Sequence, residues 1–190
     1  VVTKKTIPQI LESIDNYNFS YEITADENNY KILGSYIPNQ TVFEYDNQTY
    51  LISDNTYIVK EELLEETVNP LGIDLSKLNI QNIYNLIKDK EPLYENEKDE
   101  IKTTVYKVGM NEFNQMMNKK IESSDYIEIN INTKSNNYKS INIDLTKYMN
   151  QEELRYRNYN INISLSSLNQ VNHDSYNKLL EQKNILEKEE

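Results

Sequence analysis

Cysteine is absent from the 190 residues. Disulfides, thiolate metal sites and a cysteine nucleophile are therefore excluded. Tryptophan is also missing; Ala occurs once (Ala25), Arg twice (Arg155, Arg157) and His once (His173). One His leaves a catalytic zinc short of its usual ligands, so no metal and no cofactor is expected. Two arginines cannot build a basic stripe, and a formal charge of −11 repels phosphate, which argues against a nucleic-acid partner. An anionic membrane surface repels the chain in the same way. No run approaches the roughly 18 apolar residues of a membrane-spanning helix. There is no Pro/Gly/Ser linker and no internal repeat, so residues 1–190 read as a single domain.

The scarce residues have GC-rich codons, and the abundant Asn, Lys, Ile and Tyr have AT-rich ones. A low-GC bacterial genome accounts for this bias, so motifs built from Asn, Lys or Tyr carry little weight. The chain begins Val1-Val2-Thr3-Lys4-Lys5 without a methionine. That start is expected of a mature exported protein or of a trimmed lipoprotein, and an internal fragment would look the same.

What is present is periodicity. Thr6-Ile7-Pro8-Gln9 is a helix start with a capping box, and Ile7, Ile10, Leu11 and Ile14 follow at helical spacing. From Tyr17 the period becomes two: Tyr17, Phe19, Tyr21 and Ile23 alternate with polar residues. Strands are predicted at 30–37, with Gly34 at a bulge, and at 42–45, 49–52 and 56–59. Leu63, Leu64 and Val68 suggest a short helix stopped by Pro70, which would set Glu61 and Glu65, and Glu62 and Glu66, one turn apart. Ile80, Ile83, Tyr84 and Ile87 mark another helix. Residues 91–100 read as an exposed loop and 103–108 as a strand. Phe113, Met116, Met117 and Ile121 suggest a further helix. Three alternating runs follow: Ile127/Ile129/Ile131, Ile141/Ile143/Leu145 and Tyr159/Ile161/Ile163/Leu165. A tail helix is predicted over 173–190.

These patterns give about eight to eleven short strands, each with one apolar face. Helices inserted between strand groups are the available cover. The expected fold class is therefore α+β: a curved antiparallel sheet, or half-barrel, with helices over its concave face. The expected inner face comprises Tyr17, Phe19, Tyr21, Ile23, Phe43, Tyr45, Ile127, Ile129, Ile131, Ile141, Ile143, Ile161 and Ile163, serving structure or facing a lipid. Tyr30, Tyr36, Tyr50, Tyr57, Tyr138 and Tyr148 are candidates for surface anchors, since Tyr favours interfaces. An exposed edge strand would offer a route to a homodimer by pairing or swapping.

No catalytic set emerges. Ser53-Asp54-Asn55 and Ser175-Tyr176-Asn177-Lys178 match fragments of the penicillin-recognising motifs, but in reversed order and without Lys-Thr-Gly. A turn explains the first and chance the second. His173 would have to serve any Ser-His-Asp triad, and its place beside Asp174 at a helix start predicts a capping or exposed role instead. Asn18, Asn39, Asn47 and Asn162 begin glycosylation sequons, which this asparagine content produces by chance.

The order of features from Tyr17 to Val59 resembles the LolA/LppX-like family of bacterial lipoproteins. A short helix is followed by an alternating strand, a strand ending in Ile37-Pro38, then Phe43-Glu44-Tyr45, then Ser53-Asp54-Asn55 leading to Tyr57. Ile37 stands where the family has Arg, and Asn55 where it has Gly. The resemblance implies a non-enzymatic envelope lipoprotein. The missing Arg and the bulky inner face favour a protein-binding adaptor. Similarity to a clostridial spore-germination lipoprotein would make its partner a cortex-modifying N-acetylmuramoyl-L-alanine amidase. The alternative that the resemblance implies is a carrier of lipid or lipoprotein, with acyl chains between sheet and helices.

Overall fold

A computed structural model describes residues 3–190; the Val1-Val2 start lies outside the described residues. The chain forms α1 (Ile7–Glu12), six strands β1 (Tyr17–Ala25), β2 (Asn28–Ile37), β3 (Gln40–Tyr45), β4 (Gln48–Ile52), β5 (Thr56–Lys60) and β6 (Leu63–Thr67), then α2 (Ile80–Ile87). It continues with β7 (Tyr94–Lys98), β8 (Ile101–Gly109), α3 (Met110–Met116), β9 (Tyr126–Lys134), β10 (Asn137–Asp144), α4 (Thr146–Met149), β11 (Tyr159–Ser166) and α5 (Asp174–Glu189).

All eleven strands belong to one antiparallel sheet of order β6-β5-β4-β3-β2-β1-β11-β10-β9-β8-β7. It is an open sheet, with β6 and β7 as its edges and no closure into a barrel. Two hairpin meanders explain the order. The first runs outward from the centre to β6. The chain then crosses to the opposite edge and meanders back from β7 to β11, which pairs with β1. The crossover carries α2, so the connection that joins the two edges is also the cover over the sheet. Two-residue turns such as Asp46-Asn47 and Ser135-Asn136 hold positive φ at both residues, which Asn tolerates.

Local chemistry accounts for the elements. The α1 capping box forms as expected, with the Gln9 amide N–H donating to Thr6 Oγ1 and the Thr6 N–H donating to Gln9 Oε1. Strand β1 alternates buried and wetter positions along its whole length. One continuous core lies between the sheet and four helices, built from Ile7, Ile10 and Leu11 of α1, Ile80, Ile83 and Ile87 of α2, Met110 and Phe113 of α3, and Tyr148 of α4.

Several expectations are corrected. Residues 63–67 form β6, not a helix: Glu61 adopts a positive φ of 48° and turns the chain back, so that Lys60 faces Leu63. The four glutamates therefore lie on a hairpin rather than on helical turns. Residues 94–98 of the expected loop form the edge strand β7. Gly34 makes no bulge; it pairs in register with Phe19 and Phe43. A Cβ there would lie 2.1 Å from the Val42 carbonyl oxygen and 2.5 Å from the Phe19 ring, so only glycine fits. Ile121 falls beyond α3.

Val42 and Phe43 point to opposite faces of β3, yet both are buried. The reason is α5, which lies on the face away from the main core. There Val42, Leu51 and Tyr57 form a small second cluster against Tyr176 and Leu180.

Candidate functional site

The helix-covered face is the first place to look for a site. Of the thirteen residues expected there, Tyr17, Phe19, Tyr21, Ile23, Phe43, Ile127, Ile129, Ile131, Ile141, Ile143, Ile161 and Ile163 are buried in the main core. Tyr45 is not: it is 37% exposed, beside the Asp46-Asn47 turn and beyond the reach of the helices. Four of the tyrosines suggested as surface anchors, Tyr36, Tyr50, Tyr57 and Tyr148, are buried.

Side chains occupy the space between sheet and helices. Tyr17 stacks on Tyr36 at 5.1 Å, Phe19 meets Tyr21 edge-on at 4.8 Å, and Phe43 stacks on Tyr50 at 5.3 Å. Their polar ends are used internally. Tyr21 Oη donates to the Leu78 carbonyl at 2.6 Å, and the Ile80 N–H donates to Tyr17 Oη at 3.1 Å. Two sheet tyrosines thus hold the start of α2, where backbone groups would otherwise lack partners. Tyr138 Oη likewise donates to the Ile163 carbonyl. Burial raises the hydroxyl pKa of Tyr17, Tyr21, Tyr138 and Tyr159 above the ordinary value.

The rim of this interior is different. Tyr36, Thr41, Ile52 and Thr56 are successive cross-strand neighbours of β2 to β5 and share the helix-covered face. Opposite them run the loop from Asp74 and the exposed side of α2. Between the two lies an open cleft of about 490 Å³, lined almost wholly by hydroxyl, amide and carboxylate side chains. The Thr41 hydroxyl in its wall is buried and has no hydrogen-bond partner. The Ser53-Asp54-Asn55 turn joins β4 to β5 at this rim and contributes Ser53 and Asp54.

His173 departs from expectation. It is 2% exposed, and it makes no capping bond at the start of α5. Its ring docks α5 to the sheet instead. Nδ1 lies 2.9 Å from Gln40 Oε1, and Nε2 lies 2.7 Å from Ser35 Oγ. Gln40 Nε2 donates to Asn177 Oδ1, which identifies Oε1 as the oxygen facing the ring and so assigns the proton to Nδ1. Ser35 then donates to Nε2. The arrangement has the geometry of a nucleophile, a base and an orienting group, which the sequence did not reveal. Its chemistry is weak: Gln40 is neutral and cannot stabilise an imidazolium as a carboxylate does. Burial also pushes the His173 pKa below its ordinary value of 6.5. Neither Ser35 nor His173 lines any of the five open clefts of 270 to 550 Å³. The trio is suited to fastening α5.

Among the described residues no group of three or more His, Asp or Glu side chains could hold a metal ion. No described helix is long and apolar enough to cross a membrane.

No family model matches the sequence, and no curated protein matches it. Solved structures do. The lipoprotein LppX of Mycobacterium tuberculosis is 11% identical, over 88% of this chain and 99% of its own, with a TM-score of 0.47. LprF of Mycobacterium bovis is 9% identical, over 87% and 94%, with a TM-score of 0.51. The fold is LolA/LppX-like, an open antiparallel sheet of eleven strands with a few helices. At such low identity the likeness is one of fold.

Proposed function

We propose that this chain is a non-catalytic binding domain of the cell envelope that acts through its outer surface on a protein partner. The observation that carries this reading is the occupied interior. Buried Tyr, Phe and Ile side chains take up the volume an acyl chain would need, and Tyr17 and Tyr21 bond α2 down onto them. The polar rim adds support, because an acyl chain entering there would strip water from hydroxyls and amides without replacing it. No residue and no comparison singles out a cell-wall amidase or a spore role, so the partner is proposed only as an envelope protein.

The fold favours a second reading, carriage of a lipid, and it speaks for that reading more than for an amidase partner. Lipid carriage requires α2 to lift and its bonds to Tyr17 and Tyr21 to break. Native mass spectrometry of the chain, gently extracted from its own membranes with and without cross-linking, separates the two. The expected result is the mass of the bare chain plus a cross-linked protein. A lipid adduct that survives extraction, with no cross-linked protein, would overturn the proposal in favour of the carrier.

A further inference from the structure

The partner-binding reading uses the cleft between α2 and the tips of β2 to β5 only as an argument against an acyl chain, and the cleft's own chemistry is specific. Its floor is the ladder row Tyr36, Thr41, Ile52 and Thr56, with Ile52 the single aliphatic residue of the lining. Its roof is the solvent side of α2, where Gln81 and Asn85 stand one turn apart and exposed. We propose that this cleft is a carbohydrate site that takes an uncharged oligosaccharide.

Three observations support it. Side-chain amides and hydroxyls both donate and accept, as sugar hydroxyls do, so the two surfaces can exchange hydrogen bonds in either direction. An acyl chain would leave those groups dry. A strongly charged ligand would meet both signs, since Asp54, Asp74 and Lys77 all line the cleft.

Asn is abundant throughout this chain, so a polar lining alone would mean little. The independent observation is Thr41. It is 2% exposed, lies in the cleft wall, and its hydroxyl has no partner. A buried hydroxyl without a partner is costly, and strand position 41 would accept valine at no such cost. Oγ1 is shielded from the cleft as the side chain stands, and a turn about χ1 that brings it to a ligand hydroxyl would supply the missing bond. Tyr36 stacks one ring face on Tyr17 and is buried, so recognition here rests on hydrogen bonds rather than on ring stacking.

The test is an NMR titration of the full chain, reading the side-chain NH₂ signals of Gln81, Asn82 and Asn85. The probes are a β-1,4-linked N-acetylglucosamine tetramer and maltotetraose. Saturable shifts confined to these amides are expected with at least one sugar. Thr41→Val should fold, hold or raise its melting temperature, and bind about fivefold more weakly. Gln81→Ala with Asn85→Ala changes exposed positions only and should weaken binding about tenfold. Absence of saturable shifts with both sugars overturns the proposal. So does binding that neither set of substitutions alters, or a response of the same amides to a tetra-alanine peptide but to neither sugar. Each of these outcomes is separate from whether the chain retains a protein partner.

Discussion

Single residues carry much of the fit between sheet and helices. Gly34 is required by space alone, since its φ lies outside the left-handed region. Gly34→Ala should destabilise the protein by about 3 kcal/mol, because the clash is with backbone as well as with a ring. A lowered urea midpoint checks this. Tyr21→Phe leaves the ring packing intact but removes the bond to the Leu78 carbonyl, and should cost about 1–2 kcal/mol by the same measurement. The sequence marked Tyr17, Phe19 and Tyr21 as inward because alternation reports the face of a strand. It also marked Tyr45, which shares a face with Phe43. Parity names a face but cannot say whether anything covers it, and the helices stop short of the Asp46-Asn47 turn.

At the scale of elements, α5 and its clasp make a testable pH device. Because burial lowers the His173 pKa, the unfolded chain takes up a proton at a higher pH than the folded one. The stabilisation is complete above pH 6.5 and declines as the pH falls from 6.5 through the lower folded value. Carboxylates ordinarily titrate near 4, and this is the only histidine, so a loss between pH 6.5 and 5.5 belongs to His173. The urea midpoint of the native protein should fall over that interval, and that of His173→Gln should stay flat. β6 shows where local patterns mislead. Leu63, Leu64 and Val68 fit neither period cleanly, and glutamates favour helices. What decided the strand was the neighbouring β5, with Val59 opposite Leu64 and the Lys60–Glu65 ion pair across the hairpin. The expected loop at 91–100 became β7 for a similar reason: β8 offered an unpaired edge.

For the molecule as a whole, the order of strands sets the distribution of stability. β1 and β11 pair at the centre and are covered by the main core, whereas β6 and β7 each have one free edge. Amide hydrogen exchange should be slowest in β1 and β11 and fastest in β6 and β7. The free edges carry Glu66 on one side and Glu97 on the other, beside Glu65 and Glu95, which pair with Lys60 and Lys102. Edge-to-edge pairing of two copies would bring like charges together, so sedimentation at low salt should show a monomer rather than the strand-paired dimer that an open edge first suggests. A dimer that persists there would point to swapping of whole strands.

The sequence by itself determined which residues pair hydrophobic burial with strand or helix, because alternation and helical spacing are local and leave their mark on every few residues. Only the tertiary structure decided which strand lies next to which, that α2 crosses between the edges, and that Ser35, Gln40 and His173 meet across more than 130 positions. The unpartnered hydroxyl of Thr41 belongs to the same class. Such facts arise from chain crossings and shared cover, and no local pattern records them.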